Sequence, residues 1–322
     1  MSLVPTFLKN NKRNIITATG TLAVLFFMGK VGYSNMDTIL GYDVQVNLYF
    51  LCAAALVLVV NVFYRSLIWR AMLNSLDNSR YISIKKSAEI FTYSWVSRYI
   101  PGNIGPILSK AYFGNKTTHT QESLYLSGIF ETIFSIVAKL FLALLFIPAI
   151  GVAVVYTKPV FIIAYICLAV IGILIIDSKA FYKLLNYVLK KIGQKPIHQK
   201  RRFSYFQQIY FLIHFSVLHI LRGIGFFLFA VAFLPAFSSI YFFIAVFLVS
   251  SAIGVLAVFV PAGIGVTEGV MIFLLQTQLS LTLSIFLAAL YRVFTVGIDL
   301  ILWGGVFAAH RKSIQLSEQN KQ

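Results

Sequence analysis

The sequence predicts an all-α protein: a polytopic transmembrane helical bundle of about seven to eight spans, with re-entrant or broken helices at two Pro-Gly interruptions. Three observations predict it. Hydrophobic residues make up 59% of the 322 positions and charged residues only 11%, with a mean hydropathy of +0.84, a balance no water-soluble domain keeps off its surface. Apolar runs long enough to cross roughly 30 Å of hydrocarbon, which takes about 20 helical residues, recur from end to end. Two further stretches are interrupted by "YIPGNIGP" and "FVPAGIGV", and bent backbone survives at membrane depth only where protein buries it or where it lines a cavity.

The first apolar run, 14–33, follows the basic "KNNKR" and has no small-residue cleavage site before Lys30, so it reads as an uncleaved signal anchor. The loop holding Asp37 and Asp43 comes next, then a span at 47–69. Residues 87–113 are semi-polar and broken by "PGNIGP", too interrupted for an ordinary span and too apolar for a loop, and read as a re-entrant hairpin. Spans follow at 122–148 and 159–177. The segment 179–203 contains "KAFYKLLNYVLKKI", aromatic and aliphatic residues set against cationic ones, the pattern of an amphipathic interfacial helix. Spans at 208–234 and 239–260 lead to the short apolar piece 261–277, which reads as a crossing or broken helix, with full re-entrance as the alternative. The last span is 284–309. All of this forms one integral membrane domain, 1–322.

Net charge is +17, from 27 Lys and Arg against 10 Asp and Glu. On a soluble chain this would point to nucleic acid. Here the basic residues gather in "KNNKR", "RYISIKK" and "KKIGQKPIHQKRR", and the positive-inside rule accounts for them without a nucleic-acid partner. It places the amino terminus and both later basic loops in the cytoplasm of a multi-pass protein of the cell's inner, cytoplasmic membrane. The two cysteines, Cys52 and Cys167, lie inside apolar runs and read as small buried hydrophobes, supporting neither a disulfide nor a metal site. No cofactor is expected.

The two breaks begin at Pro101 and Pro261, 160 residues apart in a chain of 322. That spacing suggests pseudo-repeat halves of about 1–160 and 161–322, and paired Gly/Pro interruptions in matching halves point to a substrate site in transporter folds. A broken helix also presents free backbone N–H groups that hold anions.

Ionisable residues within spans mark function or pairing. Glu131 and Lys139, with Ser135 between, share a broad face of one span; His219 and Arg222 share a face of another; Arg292 and Asp299 lie seven apart on the last. Arg292 and Asp299 either pair with each other or serve a ligand. Lys139 either joins the site or snorkels to the membrane surface, and Arg65 reads as snorkelling. Arg98 and Lys110 bracket the first break as unpaired cations, while Thr267 and Glu268 follow the second. Gly265 and Gly269 form a GxxxG that admits close approach of another backbone.

At these residues the chain resembles the flippase-like membrane domain known as the lysylphosphatidylglycerol synthase transmembrane region. The resemblance rests on "SRYIPGNIGPILSKAYF", the acidic span around Glu131, "FVPAGIGVTEGV" and "LYRVFTVGIDL", in order along nearly the whole chain. It implies movement of a lipid between leaflets and makes Arg98, Pro101, Gly102, Gly105, Glu131, Pro261, Gly263, Gly265, Glu268, Arg292 and Asp299 the candidate site, to which the intramembrane cations Lys110, Lys139 and Arg222 are added from the residues themselves. No aminoacyl-transferase domain follows the membrane region in this sequence, so synthase activity is not implied.

The leading functional expectation is therefore a flippase-like transporter of an anionic phospholipid, glycolipid or lipid-linked saccharide. An enzyme is not expected, since no HExxH, DxD-like pair or GxxxxGK[ST] occurs. The alternatives are an intramembrane enzyme of lipid or glycolipid biosynthesis, and a non-transporting accessory subunit whose 179–203 loop docks a glycosyltransferase or lipid-synthesis partner.

Overall fold

The computed structural model describes residues 46–77, 81–99, 105–115, 117–151, 203–235, 239–257 and 260–319, with isolated helical positions between 183 and 190. The expected spans at 14–33 and 159–177, the Asp37/Asp43 loop, Cys167, most of the 179–203 segment, and Pro101 and Gly102 lie outside the described residues. What is described is helical, in the order α1 (Leu48–Leu76), α2 (Ile84–Val96), a 3-10 turn (Ser97–Tyr99), α3 (Gly105–Gly114), α4 (Gln121–Phe146, extended by a 3-10 turn to Ile150), α5 (Tyr205–Phe233), α6 (Ile240–Leu256), a 3-10 turn (Pro261–Gly263), α7 (Val266–Leu275) and α8 (Leu281–Gln319). Four stretches are long and apolar enough to cross a membrane: Leu48–Leu76, Gln121–Ile150, Tyr205–Phe233 and Leu281–Ala309.

Polar side chains start these helices where the sequence supplies them. Asn47, Ser83, Thr120 and Ser204 each accept a hydrogen bond from a first-turn backbone N–H of α1, α2, α4 and α5, and Gln207 completes a capping box on Ser204. The apolar stripe then faces outward. On α1, Leu56, Val60, Phe63 and Leu67 are exposed at spacings of four, three and four, whereas Asn61 and Trp69 on the other side are buried. This is the reverse of a soluble helix and is what lipid as solvent requires.

Because lipid tails are as apolar as the core, helix association rests on close fit and on polar contacts. Gly128 of α4 lets the backbone of α3 approach, an added Cβ there lying 3.3 Å from Ile107 Cα; Gly223 of α5 does the same for α6 at Ile244. Asn61 donates to the Leu218 carbonyl at 2.7 Å, tying α1 to α5 by a buried bond. Rings of Phe226, Phe229 and Tyr291 interlock α5 with α8, with centroids 4.7 and 5.2 Å apart.

The segment 87–113 forms two short helices, α2 and α3, that pack on each other across the first break. The second break folds α7 back against α6. The piece 261–277 is mostly not a crossing: its helix is only Val266–Leu275, ten residues or about 15 Å, half of what a span needs. A single full-length span is ruled out, which leaves a broken or re-entrant helix. The order long, short, break, ten-residue helix, long occurs twice, with α1 and α5, α2 and α6, α3 and α7, and α4 and α8 starting 156 to 161 residues apart.

Two sequence expectations fail here. Gly269 of the GxxxG is exposed with nothing near it, because that face of α7 turns away from the bundle. The close approach is made by Gly254 and Gly263 around Thr267 instead. Cys52 is exposed, on the outer side of α1. Gly263 has φ +65, and a Cβ on it would stand 2.8 Å from Thr267 Oγ1 and 3.0 Å from the Gly254 carbonyl. Gly263→Ala is therefore expected to cost about 1–3 kcal/mol from backbone strain, while Gly269→Ala, in helix and open space, gains up to about 1 kcal/mol. Thermal melts of the purified variants, moving in opposite directions, check the pair.

Candidate functional site

α1 carries Asn61, Arg65 and Trp69 at four-residue spacing, so all three face inward. Arg65 does not snorkel. It reaches across to α4, where Nε donates to Glu131 at 2.8 Å and a terminal nitrogen donates to Ser135 Oγ at 3.3 Å. Lys110 of α3 is buried and pairs with the other oxygen of the same carboxylate. Glu131 thus binds three helices together at one point.

The turn after α2 places Arg98 against Asp299 of α8, and Asp299 also accepts from Trp95 Nε1 at 2.9 Å and the Tyr99 hydroxyl at 2.7 Å. Arg292, one face of α8 nearer its start, pairs with Glu268 at 3.3 Å and donates to the Ala262 carbonyl at 3.3 Å. Arg292 and Asp299 therefore do not pair with each other. Two turns of helix separate them, and each finds a partner from a different break. Glu268 also accepts from the Gly265 N–H, fixing the start of α7; Gly265 holds φ 87, open to glycine. The 3-10 turns of the two breaks lie against each other, so the interruptions meet at one place.

There the described helices enclose a cavity of about 350 Å³. Its wall includes Arg65, Arg98, Lys110, Glu131, Lys139, His219, Arg222, Gly263, Glu268 and Arg292. Lys139 points into this space, not to the membrane surface. Trp95 stands in the wall with three guanidinium groups around its ring, Arg98 at 4.2 Å, Arg65 at 4.9 Å and Arg222 at 5.7 Å from the centroid. His219 meets the Ser135 carbonyl at 3.0 Å.

The sequence expectation that Arg98 and Lys110 are unpaired is overturned, since burial at this depth costs a lone charge about 2.5–3.5 kcal/mol and each has acquired a carboxylate. Of the cations on the cavity wall, Lys139 and Arg222 have no carboxylate partner among the described residues. Of the predicted residues, Arg98, Lys110, Glu131, Lys139, Arg222, Gly263, Glu268 and Arg292 line the cavity, Asp299 holds one of them in place, Gly265 shapes the second break, and Gly105 opens α3 without being on the wall. Pro261 begins the second turn. Trp95 and Tyr291 are wall residues that no sequence signal pointed to, and Arg65, read from the sequence as snorkelling, is a third; the four-residue stripe of Asn61, Arg65 and Trp69 on α1 is the signal that places it inward.

An apolar outer surface around an inner chamber of charged side chains, walled by broken helices, defines a polytopic α-helical membrane protein with a polar site at its centre. Residues 14–302 match the family described as the lysylphosphatidylglycerol synthase TM region, and the chain belongs to that family. That membership ties this chain to lipid metabolism or transport at the membrane. No curated protein matches the chain.

Proposed function

We propose that the protein is a flippase-like transporter that moves an anionic phospholipid, glycolipid or lipid-linked saccharide between leaflets. The observation that carries this reading is the cation-rich cavity enclosed where two broken helices meet, deep among helices whose outer faces are apolar. A phosphate-bearing head enters the cavity and is neutralised by Lys139 and Arg222, while its chains stay in lipid. Transport suits this wall better than chemical conversion, because Glu131, Glu268 and Asp299 are each engaged by a guanidinium or ammonium group, which weakens them as general bases. The host is the cytoplasmic membrane with the amino terminus inside, following the basic segments. Rocking about the broken helices exposes the cavity to either leaflet.

The test is leaflet exchange of a fluorescent anionic phospholipid in proteoliposomes. The expected result is exchange well above protein-free vesicles, lost in the Arg222→Gln, Lys139→Gln double variant with its melting behaviour retained. Exchange no faster than in empty vesicles overturns the reading.

A further inference from the structure

The walls of the cavity hold an unbalanced charge. Among the described residues six cations, Arg65, Arg98, Lys110, Lys139, Arg222 and Arg292, stand against three carboxylates, Glu131 and Glu268 on the wall and Asp299 behind it, a formal excess of three positive charges. The imbalance is local. Arg98 and Arg292 have one acid each, but Arg65 and Lys110 share Glu131. Lys139 feels the charges of Arg222, Arg65 and Arg98, all of its own sign. The Tyr291 hydroxyl and Arg98 Nε, both buried at this wall, are donors without an acceptor among the described residues.

The twofold order of elements matches positions between the two series of helices. The offset of 157 residues between the starts of α1 and α5 carries Arg65 onto Arg222. The offset of 160 between α4 and α8 carries Glu131 onto Tyr291. Arg65 has the carboxylate of Glu131 beside it, whereas Tyr291 stands at the position matching Glu131, and the matching Arg222 has no carboxylate partner among the described residues.

Resting on the transport reading, we infer that the headgroup this site takes bears at least two negative charges, the chemistry of a lipid phosphomonoester or diphosphate, and that zwitterionic and cationic heads are rejected. A monoanion leaves two cations of the excess unmet, and a cationic aminoacyl head adds to it. A dianion or trianion brings the wall near neutrality and offers several oxygens to separated donors on α4, α5 and the first turn. Guanidinium groups are suited to such multi-oxygen groups.

The experiment places the purified chain in phosphatidylcholine nanodiscs with a fluorescent polyprenyl diphosphate and competes it with phosphatidic acid, phosphatidylglycerol, lysylphosphatidylglycerol and inorganic pyrophosphate. Phosphatidic acid is expected to compete about tenfold or more better than phosphatidylglycerol, the worth of one further charge-assisted contact, and the lysyl lipid not at all. Arg222→Gln with Lys139→Gln collapses that preference, and Arg222→Lys, which keeps the charge, restores most of it. Equal competition by phosphatidylglycerol or the lysyl lipid overturns the inference, and leaves lipid transport standing if those lipids are exchanged in vesicles. Pyrophosphate competing as well as the lipid diphosphate, without lipid exchange, upholds the charge assignment and overturns the lipid as its source.

Discussion

Glu131→Gln will destabilise the bundle by about 3–5 kcal/mol, the cost of stripping the partner from a buried ion pair. The carboxylate is almost fully enclosed and is the shared acceptor of Lys110, buried with it, and of Arg65, whose side chain is largely covered. Glutamine keeps the shape but leaves two cations facing one another with no anion between them. Because Arg65 comes from α1, Lys110 from α3 and Glu131 from α4, the repulsion acts on three helix contacts together. Thermal melts and size-exclusion profiles of the detergent-purified variant check this. Lys86→Gln is the contrast: its pair with Glu89 at 3.0 Å is at the surface, and its loss should cost no more than about 1 kcal/mol. Glu131→Gln combined with Lys110→Met should recover much of the loss, since one of the stranded charges goes with it. A single variant that melts with wild type would show that the three-way pair does not hold the helices.

Four of the expected spans were legible because apolar length is a local property: 47–69, 122–148, 208–234 and 284–309 lie within or a few residues off Leu48–Leu76, Gln121–Ile150, Tyr205–Phe233 and Leu281–Ala309, whereas the expected 239–260 is the shorter α6, Ile240–Leu256, of 17 residues. So was the face that unites Glu131, Ser135 and Lys139, because helical periodicity fixes it before any neighbour is known. The partners were not. Arg65 finds Glu131 across 66 residues and Arg98 finds Asp299 across 201, and nothing local to either arginine tells whether an acid will arrive. Position near the polar end of a hydrophobic run made Arg65 read as a snorkelling residue. The competing signal, Asn61 and Trp69 one turn to either side, is visible only when the run is read by face. The failed GxxxG has a similar cause: spacing tells that two glycines share a stripe, but not which way the stripe points.

The second large effect concerns Asp299, and it separates a latch from a simple weight on stability. Asp299→Asn leaves Arg98 buried without its counter-charge and weakens the bonds from Trp95 and Tyr99, so about 3–5 kcal/mol is expected to be lost. Arg98→Met, by the same logic, strands the carboxylate and costs a similar amount. The double variant removes both charges and should cost less than the sum, by a coupling of about 1–3 kcal/mol. That shortfall is the signature of a direct pair. Transport gives the second readout, because this pair fastens the turn of the first break to α8, the helix that also holds the second break through Arg292, Glu268 and the Ala262 carbonyl. If the breaks must move together to admit a headgroup, the double variant regains stability without regaining leaflet exchange. Additive losses in the cycle would mean that Arg98 and Asp299 act separately, and exchange restored along with stability would reduce their contact to a structural tie.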